Sequence, residues 1–454
     1  MVIRGDARAI RDAAKFACGL ASAGADLIPI YRTVRIDAGP DGAGRITACT
    51  GAQQVRSSLP CRIDSADPAA AVGIDGQALQ RILGQVAGPV VLRCFEARIT
   101  VEGQGLRGWE PPLWSEHWPL LPASDGAAAV AELQPEALRQ ALVLAAEAAP
   151  TSDGRSNLHG VAVTWAGDTL VVRASDGAYA QHFEMPAVAR QPAAAFLALA
   201  TARLLHGLVG DHWRLAIVGP RLHVTAGDTE VTAQLQDAEF PAAALDGLLA
   251  KAPGAAVAVA RLDAGAARAA LQRCLWARST KSSAGFWLFS GGSLRQAVMD
   301  QESAREAVAD VPLRDGPPAA VGIGVNVKHI ERILASFVGE VTVYVPPEGE
   351  RASPLLFEGP GHKALVTALA ALRPAVLNEE PAMAPVDMPA ETGGEGNPDD
   401  RSDDDVDADA AGSGGAGDDP QSDAGGRRQA ARPPRADAPR GARGAAKRPR
   451  ATGR

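Results

Sequence analysis

The chain has 454 residues, of which 46% are hydrophobic, 22% charged and only 4% aromatic, and its formal net charge is −8. At roughly 150 residues per domain, this length predicts about three domains, and no apolar run reaches the roughly 20 residues that a transmembrane helix needs. The first residues lack the apolar core of a secretory signal and the five cysteines form no CxxC pair, so we expect a cytoplasmic protein without disulfides, zinc or another cofactor.

Six stretches carry apolar residues at three- and four-residue spacing, which predicts six helices. In chain order they are residues 6–20, 76–86, 134–149, 200–209, 263–278 and 326–337. Pro135 stands in the first turn of the third helix, where its missing N–H costs nothing, and Pro150 follows the end of that helix. Asp263 occupies the N-cap position of the fifth helix.

Alternating, β-branched runs joined by glycine-containing turns lie between the helices and predict antiparallel strands. The clearest is a meander of residues 214–218, 221–225 and 229–236. The runs 90–102 and 340–345 occupy comparable places, and 290–293 is typical of a hairpin turn. Trp109, Trp114 and Trp118 stand among prolines, as in a packed linker.

A weak internal repeat divides the chain. Residues 70–74 recur as 319–323, 249 positions later, and 133–142 resemble 262–271 at an offset of 129. Since one offset is about twice the other, one unit occurs three times. The prediction is an α+β protein with three domains, 1–125, 126–250 and 251–378, each of two helices and antiparallel sheets.

Beyond residue 378 the composition changes to Pro, Gly, Ala and charged residues. Residues 379–423 hold fifteen acidic residues against one Arg, whereas 427–454 hold ten basic residues against one Asp. Without apolar periodicity, nothing offsets the entropy of ordering this segment. We expect a disordered tail over 379–454, first acidic and then basic, and residues 1–378 keep a net charge of only −3.

Catalytic motifs are absent from the sequence. It contains no phosphate-binding GxxxxGK[ST] loop, GxSxG elbow, HExxH motif or DxDxDG calcium loop, and its eight histidines lack ligand spacing. We therefore expect no enzyme active site and no metal site.

Every predicted helix carries at least one basic residue, and the fifth has no acid after Asp263. Basic helices in a nearly neutral protein favour contact with a polyanion, although solvated helix faces carry similar charges. The candidate residues for this polyanion contact are Arg11, Lys15, Arg81, Arg139, Arg203, Arg268, Arg273, Lys328 and Arg332.

Several short segments, in order along the chain, resemble one known family. The segment RSNLHGV at 155–161 resembles its RxxLNGV, ASDG at 174–177 its ATDG, and IGVN at 323–326 its IGFN. Gly227-Asp228, Glu239-Phe240-Pro241 and LIPI at 27–30 are similar to its GD, GxFPDY and TLPI. The family is the bacterial sliding clamp, the beta subunit of DNA polymerase III, and the resemblance covers roughly residues 7–374.

The resemblance implies three sliding-clamp domains per chain, with helices facing inward and sheets outward. Two such chains would join head to tail as a ring-forming homodimer around double-stranded DNA. The implied function is a non-catalytic accessory subunit that confers processivity on a DNA polymerase. Its other implied partners are the polymerase and the clamp loader, bound through short linear motifs.

The family's peptide pocket lies between the second and third domains. Carried over to this chain, its wall would be Leu158, Ser175, Gly177, Ala180, Ala368, Ala370, Ala371 and Arg373. The family usually has His-Arg-Leu after Asp-Gly, where this chain has Ala178-Tyr179-Ala180. The substitution indicates a smaller pocket with a different peptide preference.

Two other functions remain open from the sequence. One is a clamp-like scaffold that binds partner peptides but does not encircle DNA. The other is an enzyme with an unfamiliar site, which would require a deep pocket with strongly perturbed titratable groups.

Overall fold

The computed structural model describes residues 1–23, 28–39, 42–65, 70–113, 118–122, 129–150, 156–279, 283–300, 302–347 and 353–369, with 374 and 377. The tail predicted for 379–454 lies outside these residues. Within them the chain forms seven α-helices and twenty-five strands, and all strand pairs are antiparallel. This confirms the predicted α+β class.

The helices match six of the predicted stretches and add one. They are α1 (Ala7–Ala23), α2 (Gly76–Gln85), α3 (Pro135–Ala148), α4 (Leu199–His206), α5 (Ala242–Ala255), α6 (Ala264–Cys274) and α7 (Val327–Ser336). A 3₁₀ turn, Leu275–Ala277, continues α6.

The strands fall into three groups along the chain. The first unit contains β1 (Val2–Asp6), β2 (Thr33–Ala38), β3 (Ala43–Cys49), β4 (Gln53–Asp64), β5 (Ala71–Asp75), β6 (Pro89–Cys94), β7 (Ile99–Gly103) and β8 (Leu106–Glu110). The middle unit contains β9 (Ala129–Leu133), β10 (Val161–Ala166), β11 (Thr169–Ser175), β12 (Tyr179–Pro186), β13 (Val188–Ala189), β14 (Ala193–Leu197), β15 (Trp213–Val218), β16 (Arg221–Ala226) and β17 (Thr229–Gln234). The third unit contains β18 (Ala258–Asp263), β19 (Ala284–Ser290), β20 (Ser293–Asp300), β21 (Arg305–Pro312), β22 (Val321–Asn326), β23 (Glu340–Val345), β24 (Pro354–Gly359) and β25 (His362–Thr367).

The three units share one element order, a strand, a helix and three strands, repeated twice in each unit. Only β13 and α5 interrupt this order. The spacing of weak identities therefore identified a real structural repeat. The exact domain boundaries stay predictions, and the predicted one after residue 250 falls within α5.

Four helices begin in the same way, at an acidic or amide residue that ends the preceding strand. The side chains of Asp6, Asp75, Asp263 and Asn326 each accept a backbone N–H of the first helical turn, at 2.7 to 3.1 Å. Such a cap stabilises a helix by about 1 kcal/mol and fixes where it starts. The predicted cap at Asp263 is confirmed, and Pro135 opens α3 as expected.

Helix α5 was not predicted, because it lacks a polar face and contains Gly247 and Pro253. Its Leu245 and Leu249 are nonetheless buried against Leu356 of β24. Tertiary packing forms this helix, since its own sequence provides neither amphipathicity nor an N-cap.

Two large sheets cross from one unit to the next. In the first seam, β17 of the middle unit pairs with β4 of the first. In the second seam, β25 of the third unit pairs with β12 of the middle one. The third unit also has a separate four-stranded sheet, β21-β20-β19-β22. Backbone hydrogen bonds therefore join the successive units directly.

The six helices other than α5 bury their apolar faces in a shared core with the sheets, whereas α5 packs in a second apolar cluster. Cys18, Cys49, Cys94 and Cys274 are buried, as predicted, and Cys61 is half-buried. All five thiols are free. Burial raises the pKa of Cys18, Cys61 and Cys94 to about 11, so these thiols stay protonated at neutral pH.

Candidate DNA and partner interfaces

Two strands have a free edge where their counterparts in the repeat are paired. Strand β8 corresponds to β17 and β25 but is bonded only to β7, and β21 corresponds to β4 and β12 but is bonded only to β20. Neither edge has a second strand partner within the described residues. The first and third units thus each present one unmatched edge of the kind that builds a seam.

Large aromatic side chains are exposed at both edges. Trp109 on β8 is 68% exposed, which overturns the prediction that it packs within a linker. Trp276, in the turn after α6 that contacts β21, is 65% exposed. A groove of about 370 Å³ lies beside β8, and Ile82, Leu106 and Trp109 contribute to its lining. Tryptophan is enriched at protein interfaces, so these side chains favour an interaction surface at each edge.

The six helices of the repeat lie side by side in the order α2, α1, α4, α3, α7, α6. The pairs within each unit are in contact. Between units, Phe16 of α1 lies against Gly207 after α4, and Arg332 of α7 donates a hydrogen bond of 3.1 Å to the Glu147 carbonyl of α3. The helices therefore form one continuous layer.

Positive charge is concentrated on this layer. The six helices hold ten Lys and Arg against four Asp and Glu, although residues 1–378 have a net charge of −3. Helices α2, α4 and α6 contain no acidic residue at all. An electropositive helix layer on a weakly acidic protein is suited to a polyanion.

The structure places all nine predicted DNA-facing residues on this layer, but not in equivalent settings. Six have exposed side chains without a carboxylate partner in the described chain. They are Lys15, Arg81, Arg203, Arg268, Arg273 and Lys328. The other three contact neighbouring groups: Arg11 lies 3.6 Å from Asp12, Arg139 donates to the His206 carbonyl at 2.9 Å, and Arg332 donates to the Glu147 backbone carbonyl.

The described residues of the predicted peptide pocket come together at one end of β11, β12 and β25. Ser175 and Gly177 form the β11–β12 turn, and the Thr367 amide donates to the Ala178 carbonyl at 2.8 Å, which brings Ala368 alongside. Leu158 and Ala180 share a buried apolar cluster with Leu245 of α5. The predicted wall residues Ala370, Ala371 and Arg373 lie outside the described residues.

The pocket turn is also held by the third unit. Asp176 accepts the amides of Ala178 and Tyr179, each at 2.8 Å, and its other oxygen lies 3.5 Å from His329 of α7. The imidazole of His329 stacks on the Tyr179 ring, with centroids 5.3 Å apart. Helix α7, which bears Lys328 and Arg332, therefore also supports the wall of the predicted pocket.

Two further histidines lie in the second seam. The His362 ring stacks between Phe183 and Phe337, with centroids 4.2 and 3.9 Å away, and bonds Gln181. Burial lowers the pKa of His362 to about 3. Burial, and then the charge of Arg173, lower the pKa of His182 to about 4.

Packing explains these perturbed groups, since burial is the largest cause of both shifts. The described residues contain no group of three or more His, Cys, Asp or Glu placed to hold a metal ion. None of the helices in the described ranges is long and apolar enough to cross a membrane.

No family model and no curated protein matches this sequence. Solved structures do match, each over 82% of this chain and all of its own length. The DNA polymerase III beta subunit from Thermotoga maritima matches with a TM-score of 0.71 at 17% identity. DNA polymerase III subunit beta from Pseudomonas aeruginosa matches with 0.72 at 16%, and the DNA polymerase sliding clamp from the same organism, with ligand, with 0.72 at 17%. The chain has the fold of these sliding clamps, as the sequence motifs indicated.

Proposed function

We propose that this protein is a DNA sliding clamp, a non-catalytic subunit that encircles duplex DNA and confers processivity on a replicative DNA polymerase. One observation carries the proposal: the two free edges, β8 and β21, are the repeat counterparts of the strands that form both seams. A third seam between two copies uses both edges. Each chain has one edge of each kind, so the copies join head to tail, and we propose that two copies close into a ring.

The repeat also specifies the register of the third seam. Leu106 corresponds to His362, since each is the first residue after its hairpin turn, paired to the last residue of the preceding strand. The hairpin β20–β21 corresponds in the same way to β11–β12. Ala309 pairs with the fourth residue of β20, as Phe183 pairs with the fourth residue of β11, so Ala309 corresponds to Phe183. Because His362 pairs with Phe183 in the second seam, Leu106 faces Ala309 of the second copy. Four residues further along, Glu110 faces Arg305.

This register gives a test of ring closure by charge reversal. Glu110→Arg alone should place two like charges opposite each other and weaken the dimer at least tenfold. Combining Glu110→Arg with Arg305→Glu in the same chain should restore dimerisation. Light scattering over a concentration series measures the dissociation constant. A dimer indifferent to both changes, or a single variant that the second change does not rescue, contradicts the proposed register.

Encirclement of DNA is tested by retention on nicked circular DNA that is then linearised. A clamp stays on circles and slides off linear ends, because its link to DNA is topological. The layer of basic helices supports such loose, sequence-independent contact, since each phosphate contact releases counterions. A dimer that ignores DNA ends, or a monomer, would instead favour a clamp-like peptide-binding scaffold.

The partners that we propose besides DNA are the polymerase and a clamp loader, bound through short linear motifs at the pocket around Leu158, Ser175, Gly177, Ala180 and Ala368. The closeness of these residues supports this assignment. The test is binding of a peptide with Gln followed by apolar residues, compared in the wild type and Ala180→Glu. Equal affinity in both proteins would reject this pocket.

We also propose a DNA contact for the basic end of the tail, which rests on its composition alone. Deleting 427–454 should flatten the salt dependence of DNA association, because fewer counterions are released. An unchanged slope rejects this contact.

A further inference from the structure

A groove of about 1340 Å³ lies at the opposite end of β11, β12 and β25 from the predicted peptide pocket. Its walls come from the start of α3, the end of β12 and the turn between β24 and β25. The groove therefore spans the second seam, away from the free edges β8 and β21. It is also larger than the roughly 300–1,000 Å³ typical of sites for small ligands, so its size favours a polymer segment.

The floor of the groove is apolar. Leu133, Met185 and Ala187 are buried beneath it, and Val188 projects with 70% of its surface exposed. An exposed valine among polar neighbours gives an apolar side chain of a ligand something to cover.

Carboxylates surround this floor. Two of these carboxylates have a Lys or Arg partner: Glu358 lies 2.7 Å from Lys363, and Glu136 lies 3.4 Å from Arg139. Asp168 and Glu184, by contrast, are exposed and have no Lys or Arg partner among the described residues. Glu132 also has no Lys or Arg partner among the described residues, and it lies 3.7 Å from His212.

Two of the imidazoles in the groove do not cancel this negative charge. His182 and His362 both contribute to the lining, and burial holds the pKa of each far below neutral, at about 4 and about 3. At neutral pH both rings are uncharged. The groove thus combines an apolar floor with uncompensated negative charge, and its complement is an apolar segment that carries positive charge.

We propose that this groove is a second partner surface, which binds a cationic, extended peptide segment of another protein. An apolar side chain covers Val188, and flanking Lys or Arg side chains pair with Asp168 and Glu184. This surface differs from the predicted peptide pocket in position and in charge preference, and it does not depend on ring closure or DNA binding.

The test uses the full chain and a fluorescein-labelled peptide of alternating Lys and Leu, with a Gln and Leu peptide for comparison. Asp168→Asn with Glu184→Gln should weaken binding of the Lys peptide at least tenfold. The matched control is Asp228→Asn with Glu230→Gln, which removes the same charge near the corresponding turn of the first seam and should leave affinity unchanged. Equal weakening by both pairs, or by neither, overturns the proposal.

The acidic run 379–423 also attracts cations, so the site of binding is measured separately. Hydrogen exchange of the wild-type protein with the Lys peptide should show new protection over 184–188 and 359–363. Protection confined to other segments, or equal binding of the Gln peptide, overturns the proposal.

Discussion

Asp176 illustrates how one side chain fixes a local structure. One of its oxygens accepts two backbone amides of the β11–β12 turn, and the other faces His329. Burial lowers the pKa of His329, so at neutral pH the imidazole contributes little charge to this contact. Asp176 therefore stabilises the turn mainly by accepting backbone hydrogen bonds.

We predict that Asp176→Asn costs less than about 1 kcal/mol of unfolding free energy, because its side-chain oxygen still accepts both amides. Asp176→Ala leaves the two amides without their acceptor and should cost about 1–2 kcal/mol. Urea unfolding at neutral pH measures both. Equal losses in the two variants would contradict this account.

The histidines of the second seam predict a loss of stability in acid. The pKa of His182 and of His362 is lower in the folded protein than the value near 6.5 in the unfolded chain, so unfolding takes up protons below that pH. The stabilisation is complete above about pH 6.5. Each histidine then costs about 1.4 kcal/mol per pH unit as the pH falls towards the folded pKa.

Urea unfolding between pH 7.5 and 5 measures this dependence. His182→Gln removes one titrating group and should flatten the slope. Equal slopes in the wild type and His182→Gln would exclude this role.

At the scale of single residues, the sequence predicted caps and turns well. Asp263 and Pro135 are local signals, and both begin helices. The burial of Trp109 was predicted wrongly, because its exposure depends on which strand edge remains unpaired. That information is not local.

Among the elements, α5 depends most on a tertiary contact. Arg173 of β11, only 8% exposed, donates to both carboxylate oxygens of Asp246, at 3.0 and 2.9 Å. Loss of the carboxylate would leave a largely buried guanidinium with Thr164 as its remaining partner. Breaking such a pair is more costly than breaking a surface ion pair.

We predict that Asp246→Ala lowers the unfolding free energy by about 2 kcal/mol and speeds amide exchange throughout α5. Hydrogen exchange with mass spectrometry reports the helix directly. Asp237→Ala changes an exposed carboxylate shortly before α5 and should leave its exchange unchanged. If both variants behave alike, the ion pair does not hold the helix.

The six predicted helices share a feature that α5 lacks, a polar face opposite the apolar one. Periodicity detects that contrast, as it detected the meander β15–β17 and the strand β23. The pairing of β4 with β17 and of β12 with β25 could not be predicted in this way. The partners lie more than 100 residues apart, and both edges have ordinary strand sequences.

For the whole molecule, the exposed Trp276 beside β21 predicts where the dimer is most sensitive. Trp276→Ala should raise the dimer dissociation constant at least tenfold, since large aromatic side chains commonly dominate interface energies. Val209→Ala is the control, because Val209 is 75% exposed but follows α4, away from both free edges. Ultracentrifugation that finds equal dimerisation in the two variants would remove Trp276 from the interface.

The sequence predicted three units from the spacing of weak identities and suggested their helix layer from scattered bases. It did not show that the repeat leaves two strand edges unpaired, because a free edge can be recognised only when the pairing of all strands is known. Only part of the predicted peptide pocket lies within the described residues. Ser175, Gly177, Ala180 and Ala368 lie close together, whereas Ala370, Ala371 and Arg373 lie outside the described residues, and the role of all these residues as a peptide pocket stays a prediction.

The seams also determine how long a strand must remain unpaired while the chain is being synthesised. Strand β4 is complete at Asp64, but its partner β17 starts at Thr229, and β12, complete at Pro186, waits for β25 from His362. At about 5–20 residues per second, each edge stays open for roughly 10–30 s during synthesis. Open edges invite pairing with the wrong strand, so a nascent chain of this design benefits from chaperones that shield β4 and then β12. Of the three edges of this kind, only β21 has no later partner within the described chain.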